Sequence, residues 1–86
     1  MRHELKIFKA LSDETRLNIV ELLLGGEKCV CEIFPHVKRT QSTVSFQLGK
    51  LEEWKILSSR RDGKKIFYRI ADSRVKRLLK DIGEGS

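Results

Sequence analysis

Two cysteines, Cys29 and Cys31, stand one residue apart in the stretch "GGEKCVCEIF". Thiols at this spacing can hold a soft metal, undergo oxidation, or simply pack as small apolar residues. A second set of chemically able residues is polar. "QSTVSFQLGK", from Gln41 to Lys50, supplies amides and hydroxyls of the kind that hydrogen-bond base edges. A third set is cationic: Arg60, Arg61, Lys64 and Lys65 crowd around Asp62-Gly63, which suits them to phosphate. The chain of 86 residues carries a formal net charge of +6, so a polyanion is the favoured partner, nucleic acid ahead of an anionic membrane surface.

These groups must be held by a small scaffold. Hydrophobic residues are 40% and charged residues 35% of the chain, which describes one globular domain over 1–86 with a single core. "LNIVELLL" (Leu17 to Leu24) is too short to span a bilayer, and it carries Asn18 and Glu21. The N-terminal "MRHELKIFKA" has charges throughout and no apolar run, unlike a signal peptide. Both observations point to the cytoplasm, with no membrane partner. Two cysteines do not make a disulfide framework. With no Gly-rich phosphate loop, no HExxH and no Ser/His/Asp set beyond chance, the chain is not expected to be an enzyme. His36, beside Pro35, reads as a surface histidine.

The expected architecture is mainly α with a small β-hairpin. Leu5, Phe8 and Leu11 recur at helical spacing in His3 to Leu11. Ser12 is an expected N-cap for a helix of about 13–24, which buries Leu17, Val20 and Leu24 and stops at Gly25-Gly26. Val30, Ile33, Phe34 and Val37 form one stripe on a short helix from Cys29, with Pro35 bending or ending it. After the polar "KRT", a longer helix opens at Thr40 or Gln41 and runs to about 55, with Val44, Leu48 and Leu51 inward and Trp54 at its edge. The period then changes to two. Asp62-Gly63 is expected at the centre of a hairpin pairing Arg61 with Lys64, Ser59 with Ile66 and Leu57 with Tyr68. A last helix, about 72–82, shows Val75, Leu78, Leu79 and Ile82.

Two short helices joined by a tight polar turn, the second longer and polar at its start, describe a helix-turn-helix. The stripe Val44/Leu48/Leu51 leaves Ser42, Thr43, Phe46 and Lys50 on the opposite side, with Gln41, Ser45 and Gln47 on the flanks. Gln suits adenine, Ser and Thr suit several base edges, and Lys suits phosphate. Phe46 either touches a thymine methyl or folds back over its own helix. The four cations at the hairpin tip supply phosphate contacts. The competing reading, a winged-helix module that binds protein, leaves those polar and basic groups without a task.

"ALSDETRLNIVELL", "CVCEI", "QSTVSFQLGKLEEWKIL" and "RRDGKKIFYRI" together resemble the ArsR/SmtB family of bacterial and archaeal repressors, in the family's order and over nearly the whole chain. The resemblance implies a winged helix-turn-helix homodimer joined through its first and last helices. It also implies double-stranded operator DNA as the partner, released when a metal or metalloid binds. A dimer of this kind expects an inverted-repeat operator, with half-sites about one helical turn apart. Spare apolar stripes on both terminal helices agree with a partner chain.

The same resemblance assigns chemistry to the cysteines. Arsenite-sensing relatives carry "ELCVCDLC". Here Cys29 and Cys31 match the first two thiols, and Phe34 stands at the third. Asp72 matches the first ligand of a zinc set on the last helix, but Arg74 stands where its first His should be. His3 is the one N-terminal candidate. On a helix, residues two apart point about 200° apart, so joint ligation by Cys29 and Cys31 is expected to require that the first turn unwind. The expected ligand is cadmium or zinc in preference to arsenite, held by thiolates across a dimer or with His3. The alternatives are packing alone, and thiol oxidation with no metal, expected to link chains or stop at the sulfenic acid because a disulfide within Cys-Val-Cys is expected to be strained.

Overall fold

The computed structural model describes residues 2–84, with side chains from 5 to 80. Two expectations, His3 as a ligand and Ile82 as an interface residue, lie on side chains outside that range. Helix α1 (Arg2–Leu11) leads directly into α2 (Glu14–Leu23). The N-cap of α2 is Asp13, whose carboxylate accepts from the Arg16 amide at 3.0 Å. Ser12 was the expected cap. Its hydroxyl instead donates to the Lys9 carbonyl at 2.7 Å and closes α1.

Helix α1 buries Ile7, Ala10 and Leu11 and leaves Leu5 65% and Phe8 52% exposed. Helix α2 packs against α1 and two later helices, so its buried face is broad. That face is centred on Thr15, Ile19, Val20 and Leu23. Leu17, expected inside, is half-buried, and Leu24 is exposed past the helix end.

Lys28–Cys29 form a two-residue strand, β1, before α3 (Val30–Val37). Ile33 and Val37 of α3 are buried, and Val30 and Phe34 pack half-buried against the core. Pro35 lies inside α3 and does not end it. The stop comes at Lys38, which takes the left-handed conformation (φ 59°) and turns the chain toward α4 (Gln41–Glu53). Val44, Leu48 and Leu51 are fully buried, as their spacing predicts. Removing one such leucine side chain costs about 2–5 kcal/mol.

Strands β2 (Leu57–Asp62) and β3 (Lys65–Ile70) form the hairpin. Its register differs from the expected one: Asp62 pairs with Lys65, Arg61 with Ile66, Ser59 with Tyr68 and Leu57 with Ile70. The turn is therefore Gly63-Lys64. Glycine takes the positive φ (63°) that a II′ turn places at its first central residue. Each partner moves by two residues, so the strand faces are unchanged. The sheet has three antiparallel strands in the order β1-β3-β2.

Helix α5 (Ser73–Glu84) packs on β3 and buries Val75 and Leu79. Leu79 is thus a core residue of the single chain, where its stripe alone had left it open to a partner. The arrangement, α3–turn–α4 followed by a β-ribbon, is a winged helix-turn-helix. Among the described residues, no helix is long and apolar enough to cross a membrane.

Candidate nucleic-acid interface

Thr40 sets the start of the reading helix. Its backbone is extended, and its hydroxyl accepts from the Thr43 amide at 3.2 Å. The same hydroxyl donates to Thr43 Oγ1 at 2.8 Å. Thr43, an expected base reader, is therefore half-buried in the capping network. Gln41, Ser42 and Ser45 are exposed on the first turns of α4. Phe46 is 61% exposed, and Lys50 lies with its Nζ 5.5 Å from the ring centre. The aromatic ring and the lysine form one unit on the outer face.

Gln47 is placed differently from the other readers. Its Oε1 accepts from Arg16 Nη1 at 3.0 Å, and Arg16 Nε donates to the Ala10 carbonyl at 2.7 Å. The guanidinium also sits 5.2 Å from the Trp54 ring centre. Arg16 thus ties the end of α1, the start of α2 and the reading helix together. It was not singled out in the sequence, because its partners are distant along the chain. Lys38 and Arg39 were also passed over as a polar connection. Both are exposed beside the N-terminus of α4, where a helix end attracts phosphate. The signal available for them was a basic pair directly before an N-cap.

In the wing, Arg61, Lys64 and Lys65 are exposed. Arg60 is exposed as well but is engaged in an ion pair. It donates to both carboxylate oxygens of Glu27, at 2.7 and 2.9 Å, and stacks 4.6 Å from the Phe67 ring centre. Its hydrogen bonds hold the Glu27 carboxyl below the ordinary glutamate pKa, and the Arg60 pKa rises correspondingly. Phe67 is the β3 partner of both Arg60 and Cys29, so the clamp lies in the same cross-sheet row as the first cysteine.

The cysteines depart from the helical geometry expected of them. Cys29 is not in the helix. It is extended (φ −69°, ψ 148°) and caps α3: its Sγ accepts from the Cys31 amide at 3.0 Å, and its own amide donates to Glu32 Oε1 at 3.1 Å. The two sulfurs meet in a disulfide with the helix intact, and the Cα atoms are 5.1 Å apart. The opposite-side argument fails because it holds only when both residues are helical. Cys29 is 3% exposed and Cys31 is exposed. Among the described residues, no group of three or more His, Cys, Asp or Glu is placed to hold a metal ion.

A cleft of about 420 Å³ joins these parts. Cys29 and Cys31 line it together with Gln41 and Ser45 of α4 and Lys64, Lys65 and Tyr68 of the wing. Burial raises the Tyr68 pKa, with a further push from Glu52.

Comparisons with known proteins agree with this construction. Residues 13–59, more than half the chain, match the family described as bacterial regulatory protein, arsR family. An uncharacterized HTH-type transcriptional regulator of Methanocaldococcus jannaschii is 42% identical over 80 residues, covering 92% of this chain and 90% of that protein. A cadmium resistance transcriptional regulatory protein CadC homolog of Staphylococcus aureus is 40% identical over 75 residues. That match covers 86% of this chain and 62% of the relative, so the chain spans under two thirds of its length. The solution structure of a homodimeric winged helix-turn-helix DNA-binding domain from Mycobacterium bovis, a possible ArsR-family regulator, superposes with a TM-score of 0.84. It is 32% identical, and the match covers 95% of this chain and 76% of that one. An exposed polar reading helix beside a basic wing, on a backbone shared with these regulators, establishes that the chain belongs to the arsR family of bacterial regulatory proteins and is a DNA-binding transcriptional regulator.

Proposed function

We propose that the protein is a repressor that binds an inverted-repeat operator as a homodimer and releases it in response to chemistry at Cys29 and Cys31. The observation that carries this reading is one shared surface. Gln41 and Ser45 of α4 line one cleft with Lys64 and Lys65 of the wing, and Ser42, Phe46 and Arg61 are exposed on the same two elements. The first group can read base edges in a major groove, and the second can hold phosphate on the flank. The dimer rests on the exposed Leu5 and Phe8 of α1 and on the homodimeric relative.

The cadmium-resistance relative connects that protein to a soft metal. In each chain the described residues bring two sulfurs together and supply no third donor, so a closed zinc or cadmium site of four ligands would draw the rest from a partner chain or from outside the described side chains. No step of the proposal therefore runs through a metal. The cleft that Cys29 and Cys31 share with Gln41, Ser45, Lys64 and Lys65 supports a link between the cysteines and DNA binding.

The test is a mobility-shift titration with operator and with random duplex. Lys64→Ala should weaken binding to both and flatten the salt slope by about one unit. Gln41→Ala should lose about 1–3 kcal/mol on the operator and leave random duplex unchanged. Wild-type protein that binds neither duplex in a salt-dependent way would overturn the proposal.

A further inference from the structure

We infer that the pocket between α1 and the end of α4, walled by Lys6, Lys9, Ala10, Arg16 and Trp54, binds a small aromatic carboxylate. It shares no lining residue with the cysteine cleft and is a separate site. Its chemistry stands on the pocket alone, and only its effect on DNA rests on the repressor reading. Three observations carry it.

The first is charge. Three of the five lining residues are cations and none is an acid. Lys6 and Lys9 are exposed, and among the described residues neither forms an ion pair. Asp13, close by in the chain, has its carboxylate on the Arg16 backbone amide. A wall of one sign attracts an anion. The second is a set of unused donors. Arg16 is half-buried, with Nε on the Ala10 carbonyl and Nη1 on Gln47 Oε1, and its Nη2 has no hydrogen-bond partner among the described residues. A planar guanidinium with N–H groups to spare suits a carboxylate. The third is the ring. Trp54 lines the same pocket and is 38% exposed, with the guanidinium 5.2 Å from its ring centre. A flat aromatic ring can pack against the indole while its carboxylate meets the cations. The pocket volume, about 470 Å³, lies in the range of small-molecule sites. Inorganic phosphate would leave the indole unused, and a neutral ring would leave the cations unused.

The site stays open in the dimer proposed above. Lys6 and Lys9 follow Leu5 and Phe8 by one residue each, so they point about 100° away from that apolar pair around α1. The pocket also touches the DNA-reading helix. Gln47, which accepts from Arg16, follows the exposed Phe46 on α4. A carboxylate that draws on the guanidinium competes with Gln47 and loosens the tie that holds α4, so its binding lowers operator affinity.

The experiment titrates the full chain with 2-naphthoate and reads the indole N–H resonance of Trp54, the one tryptophan of the chain. Three further arms use 2-naphthamide, which keeps the rings and loses the charge, cyclohexanecarboxylate, which keeps the charge and loses the aromatic ring, and inorganic phosphate. Expected is a saturable movement of the resonance by 2-naphthoate that weakens with added salt, and an affinity lower by at least about 3-fold in each of the other arms. The Lys6→Gln/Lys9→Gln variant should keep its Tm, since both side chains are exposed, and bind 2-naphthoate at least about 3-fold more weakly. Naphthamide that binds as tightly as naphthoate would overturn the role of charge. Phosphate or cyclohexanecarboxylate that binds as tightly would overturn the aromatic assignment. No saturable movement at millimolar 2-naphthoate, or an unchanged affinity in the lysine variant, would remove the site. Operator affinity in saturating 2-naphthoate should fall by about 5-fold or more. A constant operator affinity with the ligand bound would overturn the link through Gln47. The resonance is read without DNA, so failure of the site is distinguishable from failure of the repressor reading.

Discussion

Replacing Arg16 by Met should destabilise the domain far more than an ordinary surface change, because one side chain joins three helices. Met keeps much of the apolar stem and removes the guanidinium. Two hydrogen bonds go with it, to the Ala10 carbonyl at 2.7 Å and to Gln47 Oε1 at 3.0 Å, together with the stack on Trp54. Bonds from a charged donor contribute about 1.5–3 kcal/mol each. Arg16 is half-buried, and water replaces part of what is lost, so about half of the sum is expected, roughly 1.5–3 kcal/mol. In a domain of this size that lowers Tm by about 6–24 °C. Gln47→Ala should lose about 1 kcal/mol, since it removes one of the two bonds. Thermal and urea unfolding of wild type, both single variants and the double variant give the coupling directly. A coupling of about 1 kcal/mol is expected between residues that share a bond. If Arg16→Met loses less than about 0.5 kcal/mol and the coupling is under about 0.3, the three-way tie contributes nothing, and Gln47 is free to read bases after all.

Leu5→Glu and Phe8→Glu should shift the protein from dimer to monomer in sedimentation and weaken operator binding in parallel. Leu79→Glu should instead lower Tm, because Leu79 is 8% exposed within the single chain. A monomer that holds operator with unchanged affinity would contradict the dimer reading. Arg60→Ala should loosen the wing from β1, read as faster amide exchange at Lys28 and Phe67, with a smaller loss of phosphate affinity than Lys64→Ala; equal losses on DNA would place Arg60 among the phosphate contacts. The clamp has an acid limit: the folded Glu27 pKa is depressed, so its contribution is complete above the ordinary glutamate value and disappears as pH falls through the lower folded value. Acid titration should accordingly release β1 exchange protection over that window in wild type and leave Glu27→Gln flat. Gly49→Ala should raise stability by about 0.5–1 kcal/mol, since Gly49 is an exposed mid-helix glycine with nothing within 4 Å of an added Cβ. A lower Tm in that variant would contradict the open space around it.

What was legible in the chain depended on how far each interaction reaches. The reading helix could be placed from Val44, Leu48 and Leu51 because one apolar stripe at one period has one solution. The hairpin faces were legible for the same reason, since parity survives a two-residue change of register. The register itself was not. Asp-Gly and Gly-Lys both place glycine in a two-residue turn, and cross-strand packing decides between them. Cys29 was read as helical because Val30, Ile33 and Val37 follow it so regularly. A strand of two residues has no period of its own, and its partner lies at Phe67. Arg16 was opaque because its bonds run to Ala10 and Gln47, and no local pattern reports a side chain that spans elements. Leu79 shows the converse limit: a stripe says that a face is buried, and cannot say whether the cover is the same chain or another.

The pairing of β1 with β3 also bears on how the molecule assembles. Helices α2, α3 and α4 follow one another along the chain, so much of their packing can form early through contacts of short range. Lys28, by contrast, meets Tyr68 across an intervening segment that contains α3, α4 and β2. Closing a loop of that length has an entropic cost that no local contact offsets in advance, and such pairings slow folding. The cysteine strand should therefore dock late, after the helices and the β2–β3 ribbon are in place. A nascent chain would hold Cys29 and Cys31 uncovered through most of folding, and the buried thiol would acquire its protection from solvent only in the final step.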